Sequence, residues 1–411
     1  MKEKMTTQLR FFGVTIIFTL FLFLFPGIVS GTSAEDTNNV KFAEKPEYAV
    51  LFIIDGLSYK VWDQMELPVL KEMIKEGALV EKNYLPPAAH PHTGKYADLH
   101  SCSVPNPILM AGTVFITKET EYLPQNFFPD KTTAFVANTL AYRSLNRYYN
   151  YSYQKGGPDS ESVNIALKFM EMGHPVFMRV HLQTPGNAGY ECMITKEDVP
   201  WRSDIWAKGS PYRLKTEEAD SLLGVFINGL KEQGVLEKTV IIVMGDHGQA
   251  DAGWHPVETT NSSITTIVLW GAGIKKGVRI PYSEQIDIVP TISALMGVEP
   301  PKTSRGRIIA EALSQYEGEL PPKKMLFKKM LEQFKEYRKK KAQAIGALEA
   351  SSSSQVGRLY SEMNNIDQNF YDIHRFLEWP RFRTVEELLE NNSKVLTELD
   401  RFLSEIQNVD Y

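Results

Sequence analysis

Apolar residues in this chain fall into two kinds of run. Short unbroken blocks alternate with longer stretches in which apolar positions recur every three or four residues. Tyr48–Ile54 (YAVLFII) has no charged position, which suits a strand buried on both faces of a parallel sheet. Residues 133–137, 175–182, 239–244 and 264–270 read the same way, and 78–80 reads as a short strand. Residues 69–76, 161–172, 216–233 and 287–295 carry the helical period. Strands alternating with helices predict an α/β domain with a mostly parallel central sheet flanked by helices.

The pattern changes after about Pro322. Residues 323–347 are charged and helix-prone, and 350–355 form a serine-rich break. Residues 385–406 carry an apolar stripe through Leu388, Leu389, Val395, Leu396, Leu399 and Leu403. These shifts predict a main domain over 45–315 and a helical C-terminal extension over 320–411. At the other end, Lys2, Lys4 and Arg10 precede an uncharged, nearly all-apolar run at 11–30. Thr32 and Ala34 are small residues at −3 and −1 of a cut after Ala34, so 1–34 reads as a signal peptide. The alternative is an uncleaved membrane anchor, since the run nearly spans a bilayer. Pro26 and Gly27 near its end favour cleavage. Either reading makes the chain secreted or otherwise extracytoplasmic, with membrane contact, transient or anchored, through this segment.

Composition narrows the class. The 411 residues are 43% hydrophobic and 23% charged, which excludes a mainly disordered or collagen-like chain. Lys and Arg number 45 against 50 Asp and Glu, a net charge of −5, which argues against nucleic acid as a partner. The two cysteines, Cys102 and Cys192, exclude a disulfide framework and a four-thiolate zinc site. One bridge between them, or two free thiols, stay open.

Candidate chemistry sits at strand ends. Tyr48–Ile54 runs into Asp55-Gly56, and residues 239–244 run into Gly245-Asp246-His247-Gly248. Open parallel sheets bind ligands at the carboxyl ends of their strands, so Asp55, Asp246 and His247 are expected to meet at one edge. Two carboxylates and an imidazole suit zinc, or manganese. Ser103 lies in His100-Ser-Cys-Ser-Val-Pro-Asn-Pro107, where a helix would begin, with Pro105 in its first turn. Backbone N–H groups there can hold a phosphate, and a metal beside the hydroxyl would make an alkoxide available. The plainer reading has each Asp capping the next element and Ser103 as an N-cap. Two matching strand ends with an adjacent His favour the site.

The ordered set IDG, a hydroxyl-x-Pro-Asn turn and GDHG resembles the alkaline phosphatase superfamily. The nearest branch by these motifs is the type I phosphodiesterase/nucleotide pyrophosphatase group, with ethanolamine-phosphate transferases and sulfatases as relatives. The resemblance covers about 48–301, including Asp287-Ile-Val-Pro-Thr-Ile-Ser-Ala-Leu-Met-Gly. It implies a divalent metal, zinc first and manganese second, as one or two ions. Asp55, Asp246 and His247 would hold one ion, with Ser103 as nucleophile forming a phosphoseryl intermediate. Asn106 would donate to a phosphoryl oxygen. His255, in Ala-Gly-Trp-His-Pro, would bind a second ion or touch substrate. The implied function is hydrolysis of small phosphate esters, diesters first.

The chain also departs from the family pattern. A Pro-Asp-x-x-Gly-His loop usually supplies a second metal. Here the frame reads Pro185-Gly186-Asn187-Ala188-Gly189-Tyr190, with Gly186 and Tyr190 in place of the Asp and His. Either one ion suffices, or His181, Gln183, Asn187 or His255 fills the second position; Asn and Gln are weak zinc ligands, so an altered or single-ion site, with one tightly held ion, is expected. Ser103-Val-Pro-Asn-Pro107 has Pro where the formylglycine signature of sulfatases needs Arg, which disfavours that chemistry. The alternatives are a sulfatase, a phosphoethanolamine-type phosphotransferase, or a catalytically reduced envelope or binding protein on the same scaffold. Lys208 and Arg213 are candidate phosphate clamps, and His90 and His92 candidate pocket residues. Each has a plain loop reading beside it.

Overall fold

The computed structural model describes residues 43–86, 128–141, 146–256, 258–301, 304–316, 324–352 and 354–409. The leader at 1–34 and the segment holding His90, His92, Cys102, Ser103 and Asn106 lie outside the described residues. Among the described residues, nine strands form one sheet: β1 (Tyr48–Ile54), β2 (Ala78–Tyr84), β3 (Thr133–Ala137), β4 (Tyr151–Gln154), β5 (Phe177–Leu182), β6 (Thr239–Met244), β7 (Ile264–Gly271), β8 (Val278–Ile280) and β9 (Ser283–Glu284). Their order is β4-β3-β5-β1-β6-β7-β2-β8, with β9 on β2. β1 lies parallel between β5 and β6, whereas β7 runs antiparallel to both β6 and β2.

The helices are α1 (Val61–Gln64), α2 (Pro68–Lys75), α3 (Asp159–Gly173), α4 (Thr184–Ile194), α5 (Pro211–Glu232), α6 (Ile288–Met296), α7 (Leu326–Ala350), α8 (Val356–Asn369) and α9 (Val385–Val409). The architecture is mixed α/β with a mostly parallel sheet and a C-terminal helical region. Alternate residues of β1 face opposite cores. Val50, Phe52 and Ile54 pack with Val163 and Ala166 of α3 and Leu223 and Phe226 of α5. Ala49, Leu51 and Ile53 belong to the other core, with Ile288 and Ile292 of α6, Phe327 and Phe334 of α7, and Leu399 and Phe402 of α9. The C-terminal helices thus close one face of the sheet. Among the described residues, no helix is long and apolar enough to cross a membrane.

Local signals explain several boundaries. Pro211 opens α5, and the Ser210 hydroxyl accepts from the Arg213 amide at 3.2 Å. The α2 N-terminus has no cap of its own; Asp220 of α5 accepts from Val69 N at 3.0 Å and Leu70 N at 2.9 Å. Three differences from the sequence reading stand out. β2 extends past the expected short strand to Tyr84. β4, β8 and β9, with four, three and two residues, are too short to show an apolar run. The 185–190 segment, expected as a loop, is the first part of α4, because Pro185 suits a first helical turn.

Candidate metal centre

Three adjacent parallel strands, β5, β1 and β6, end side by side, and each delivers polar side chains at its carboxyl end. Asp55 follows β1; its amide donates to the Leu182 carbonyl of β5 at 2.9 Å. Gly56 next turns the chain with φ +68, a conformation that favours glycine. The turn aims the Gly56 amide at Asp246 Oδ1, 3.1 Å away. Asp246 and His247 follow β6, and the Asp246 carbonyl accepts from Gln285 Nε2 at 3.0 Å. The two strand ends are therefore tied to each other through the site.

Asp55, Asp246 and His247 are all buried and offer ligand atoms within 4.8 Å of one another. His247 Nε2 lies 3.4 Å from Asp55 Oδ1 and 3.6 Å from Asp246 Oδ2. His247 Nδ1 is 2.7 Å from the Gly248 carbonyl, which only accepts, so Nδ1 carries a proton. That leaves Nε2 to face the carboxylates, the orientation of a metal-binding imidazole fixed from behind. Burial opposes an imidazolium here, but Asp246 and Asp55 outweigh it and hold the His247 pKa above its usual value. Hard oxygen atoms and one imidazole nitrogen converging in a buried space fit a divalent cation.

His255 is 2% exposed and stands beside the triad, its ring 4.3 Å from that of His247 and 3.9 Å from that of Trp254. It is not in the group whose ligand atoms mutually converge. Trp254 has φ +62 and packs 4.5 Å from Tyr190, which is 39% exposed. Of the other candidates, Arg213 Nη1 donates to the Trp206 carbonyl at 3.1 Å, which makes it part of the loop-to-helix junction. Trp206 Nε1 and Lys60 Nζ each lie 2.8 Å from Asp251 Oδ1, closing the loop that leads to His255. Cys192 is a buried free thiol.

Several contributors carried no sequence signal. Gln249 is buried at the site, with Nε2 3.5 Å from the Gly186 carbonyl. Asn138 Oδ1 accepts from the Gln183 amide at 2.8 Å, and Asp159 Oδ1 accepts from Asn138 Nδ2 at 2.6 Å and Thr184 Oγ1 at 2.8 Å. Asn138 lies just past β3, so the ends of strands were again the place to look.

The sulfatase family model matches residues 123–298. A GPI ethanolamine phosphate transferase 2 of Aspergillus fumigatus is 29% identical over 119 residues, covering 26% of this chain and 16% of that relative. This chain therefore matches under a fifth of that relative's length. A lipoteichoic acid synthase from Listeria monocytogenes superposes with TM-score 0.50 at 14% identity, covering 68% of this chain and 78% of that one. A Bacteroides thetaiotaomicron protein from a core locus for the metabolism of multiple glycosaminoglycans gives TM-score 0.53 at 14% identity, covering 68% and 79%.

Proposed function

We propose, for a chain with the sulfatase-related fold of the alkaline phosphatase superfamily, an exported metal-dependent enzyme acting on small phosphate esters, diesters first. The observation that carries this reading is the buried convergence of Asp55, Asp246 and His247 at the ends of β1 and β6. These three residues would hold the ion. When bound, a divalent ion would lower the pKa of a nearby hydroxyl and offset charge developing on phosphorus. The Gly56 amide and the Gly248 carbonyl fix one carboxylate and the imidazole, so the donors are oriented before any ligand arrives.

We assign the nucleophile to Ser103 on its Ser-x-Pro-Asn context. Its Oγ attacks phosphorus, the P–O bond to the leaving alcohol breaks, and a phosphoseryl group forms. Asn106 donates to a phosphoryl oxygen, and His255 faces the same charge from the Trp254 side. Water then attacks phosphorus, the P–O bond to Ser103 breaks, a proton from that water returns to Ser103 Oγ, and the product leaves, a phosphate monoester when the substrate is a diester. An alcohol in place of water gives phosphoryl transfer; the ethanolamine phosphate transferase similarity supports that second reading. Sulfate ester hydrolysis has the family match on its side and Pro107 against it. The test is a chromogenic panel of phosphate mono- and diesters and sulfate esters, assayed with the metal-loaded and chelator-treated full chain. Metal-dependent turnover of a phosphate ester is expected; turnover of sulfate esters alone would overturn the assignment.

A further inference from the structure

Asp55 is held asymmetrically. Its Oδ2 receives Gln183 Nε2 at 2.8 Å and faces His181 Nε2 at 3.1 Å. A carboxylate oxygen has about two lone-pair sites, and two donors occupy both. Its Oδ1 instead faces His247. Both donors come from one place, the end of β5, where the chain turns into α4. The Gln183 backbone is itself fixed by Asn138, and α4 begins one residue later. Gly186 packs directly against Asp55: a Cβ built on it would lie 1.7 Å from Asp55 Oδ1. The Asp55 side chain thus fills the space that a side chain at 186 would need, and it lies beside the first turn of α4, where the helix carries partial positive charge.

We propose that Gln183 and His181 are positioning residues that clamp Oδ2 of Asp55 and commit the centre to a single divalent ion bound through Oδ1. This rests on the metal-dependent reading above. A carboxylate that gives one oxygen to each of two ions uses both, and here Oδ2 is taken by protein donors. Those donors and the α4 N-terminus also offset the charge that a second ion would otherwise neutralise. The clamp gives a physical reason for Gly186 at a place where the related pattern has an acid: with Asp55 held in this position, a side chain at 186 would have to displace it. The benefit is orientation, since a carboxylate locked through one oxygen presents the other without paying for rotation on binding.

The experiment titrates manganese, and separately zinc, into the chelator-treated full chain by calorimetry, with elemental analysis of the loaded protein. Wild type is expected to hold one ion. Gln183→Met removes a donor at similar length, and His181→Phe removes the other while keeping a ring. Each should weaken binding about 10- to 100-fold, as loss of such supporting partners does. The metal-free chain should keep its circular dichroism and cooperative unfolding, and saturating metal should restore most turnover. If one variant fails to fold, the other carries the same test. Two ions in wild type, or affinity within twofold of wild type in the folded variants, overturns the clamp while leaving the metal reading in place. A wild type that binds no ion overturns both.

Discussion

Two buried clusters of acids among the described residues solve the same problem in opposite ways. Near the start of α6, Glu284 accepts from the Phe327 amide at 2.8 Å and from the Tyr282 hydroxyl, and so holds the start of α7. Asp287 accepts from the Glu284 amide at 2.9 Å and the Arg307 amide at 2.8 Å, while Arg307 Nη1 meets Glu311 at 2.8 Å. The chain brings its own cation to that cluster. At the ends of β1 and β6, two carboxylates and an imidazole turn toward each other instead. The difference shows that burial of acids does not by itself mark a site. Burial pushes Glu284 up to about 7 and Asp287 up to about 6, yet their partners are structural. Acceptors aimed at a common point, with an imidazole nitrogen beside them, are the more telling feature, because a cation could bind between them.

The largest effects should separate the clusters outright. Asp246→Asn keeps the size of the side chain and removes a charge from the converging set. Metal binding and activity should fall together by orders of magnitude while circular dichroism is unchanged. Full metal occupancy in that variant would place the ion elsewhere. Ser103→Ala should lower kcat on the order of 10³-fold or more with the metal retained, as expected for a nucleophile acting with its ion as a unit. Cys102→Ser should leave most of the activity; the reverse pattern would reassign the nucleophile to the neighbouring thiol.

A second contrast sets the metal cluster against its own flank. Gly186→Asp restores the acid of the family pattern, but its Cβ would fall 1.7 Å from Asp55 Oδ1. Loss of the first ion and a destabilisation of about 1–3 kcal/mol, the usual range for overpacking, are expected in calorimetry and urea unfolding. A gain of a second ion would refute the close approach. His255→Ala should lower turnover about 10-fold or more while the tight ion remains. Equal loss of both, measured by elemental analysis beside kcat, would make His255 a ligand of that ion.

Much of the candidate site was legible because both of its strands are buried and end in motif residues. An apolar run such as β1 has one outlet for a polar side chain, its end, so Asp55, Asp246 and His247 could be placed together without coordinates. The sheet's parallel heart followed from the same runs. The antiparallel position of β7 did not, because a fully buried strand reads alike in either direction. The 185–190 segment was misread as a loop because its Pro and Gly residues signal turns. Yet Pro is accepted in a first helical turn, and Gly186 leaves room there for the side chain of Asp55, a residue 131 positions away. Gln249, Asn138 and Asp159 act through such long-range contacts and leave no local pattern.

The smallest effect tests the self-contained cluster. Folded Glu284 keeps its proton up to about pH 7, while an unfolded glutamate loses it near ~4.3. Burial is the main cause, and it outweighs the hydrogen bonds from Tyr282 and Phe327. Between those two values the folded chain binds more protons than the unfolded one, so stability must fall as pH rises. The contribution is fully present below about 4.3 and lost above about 7, and on this shift it is on the order of 3–4 kcal/mol. Asp287 and Asp220, each pushed to about 6 by burial, act in the same direction. Urea unfolding of the metal-free chain should therefore show greater stability at pH 5 than at pH 8. Glu284→Gln keeps a neutral side chain at all pH values and should flatten that slope without abolishing it, since the two aspartates still titrate. Metal affinity and turnover should stay at wild-type levels, because Arg307 and the α7 amide, rather than an added ion, are what this cluster is built around. An unchanged slope in Glu284→Gln would place the proton uptake on other groups, and a loss of metal would show that the two clusters are not independent.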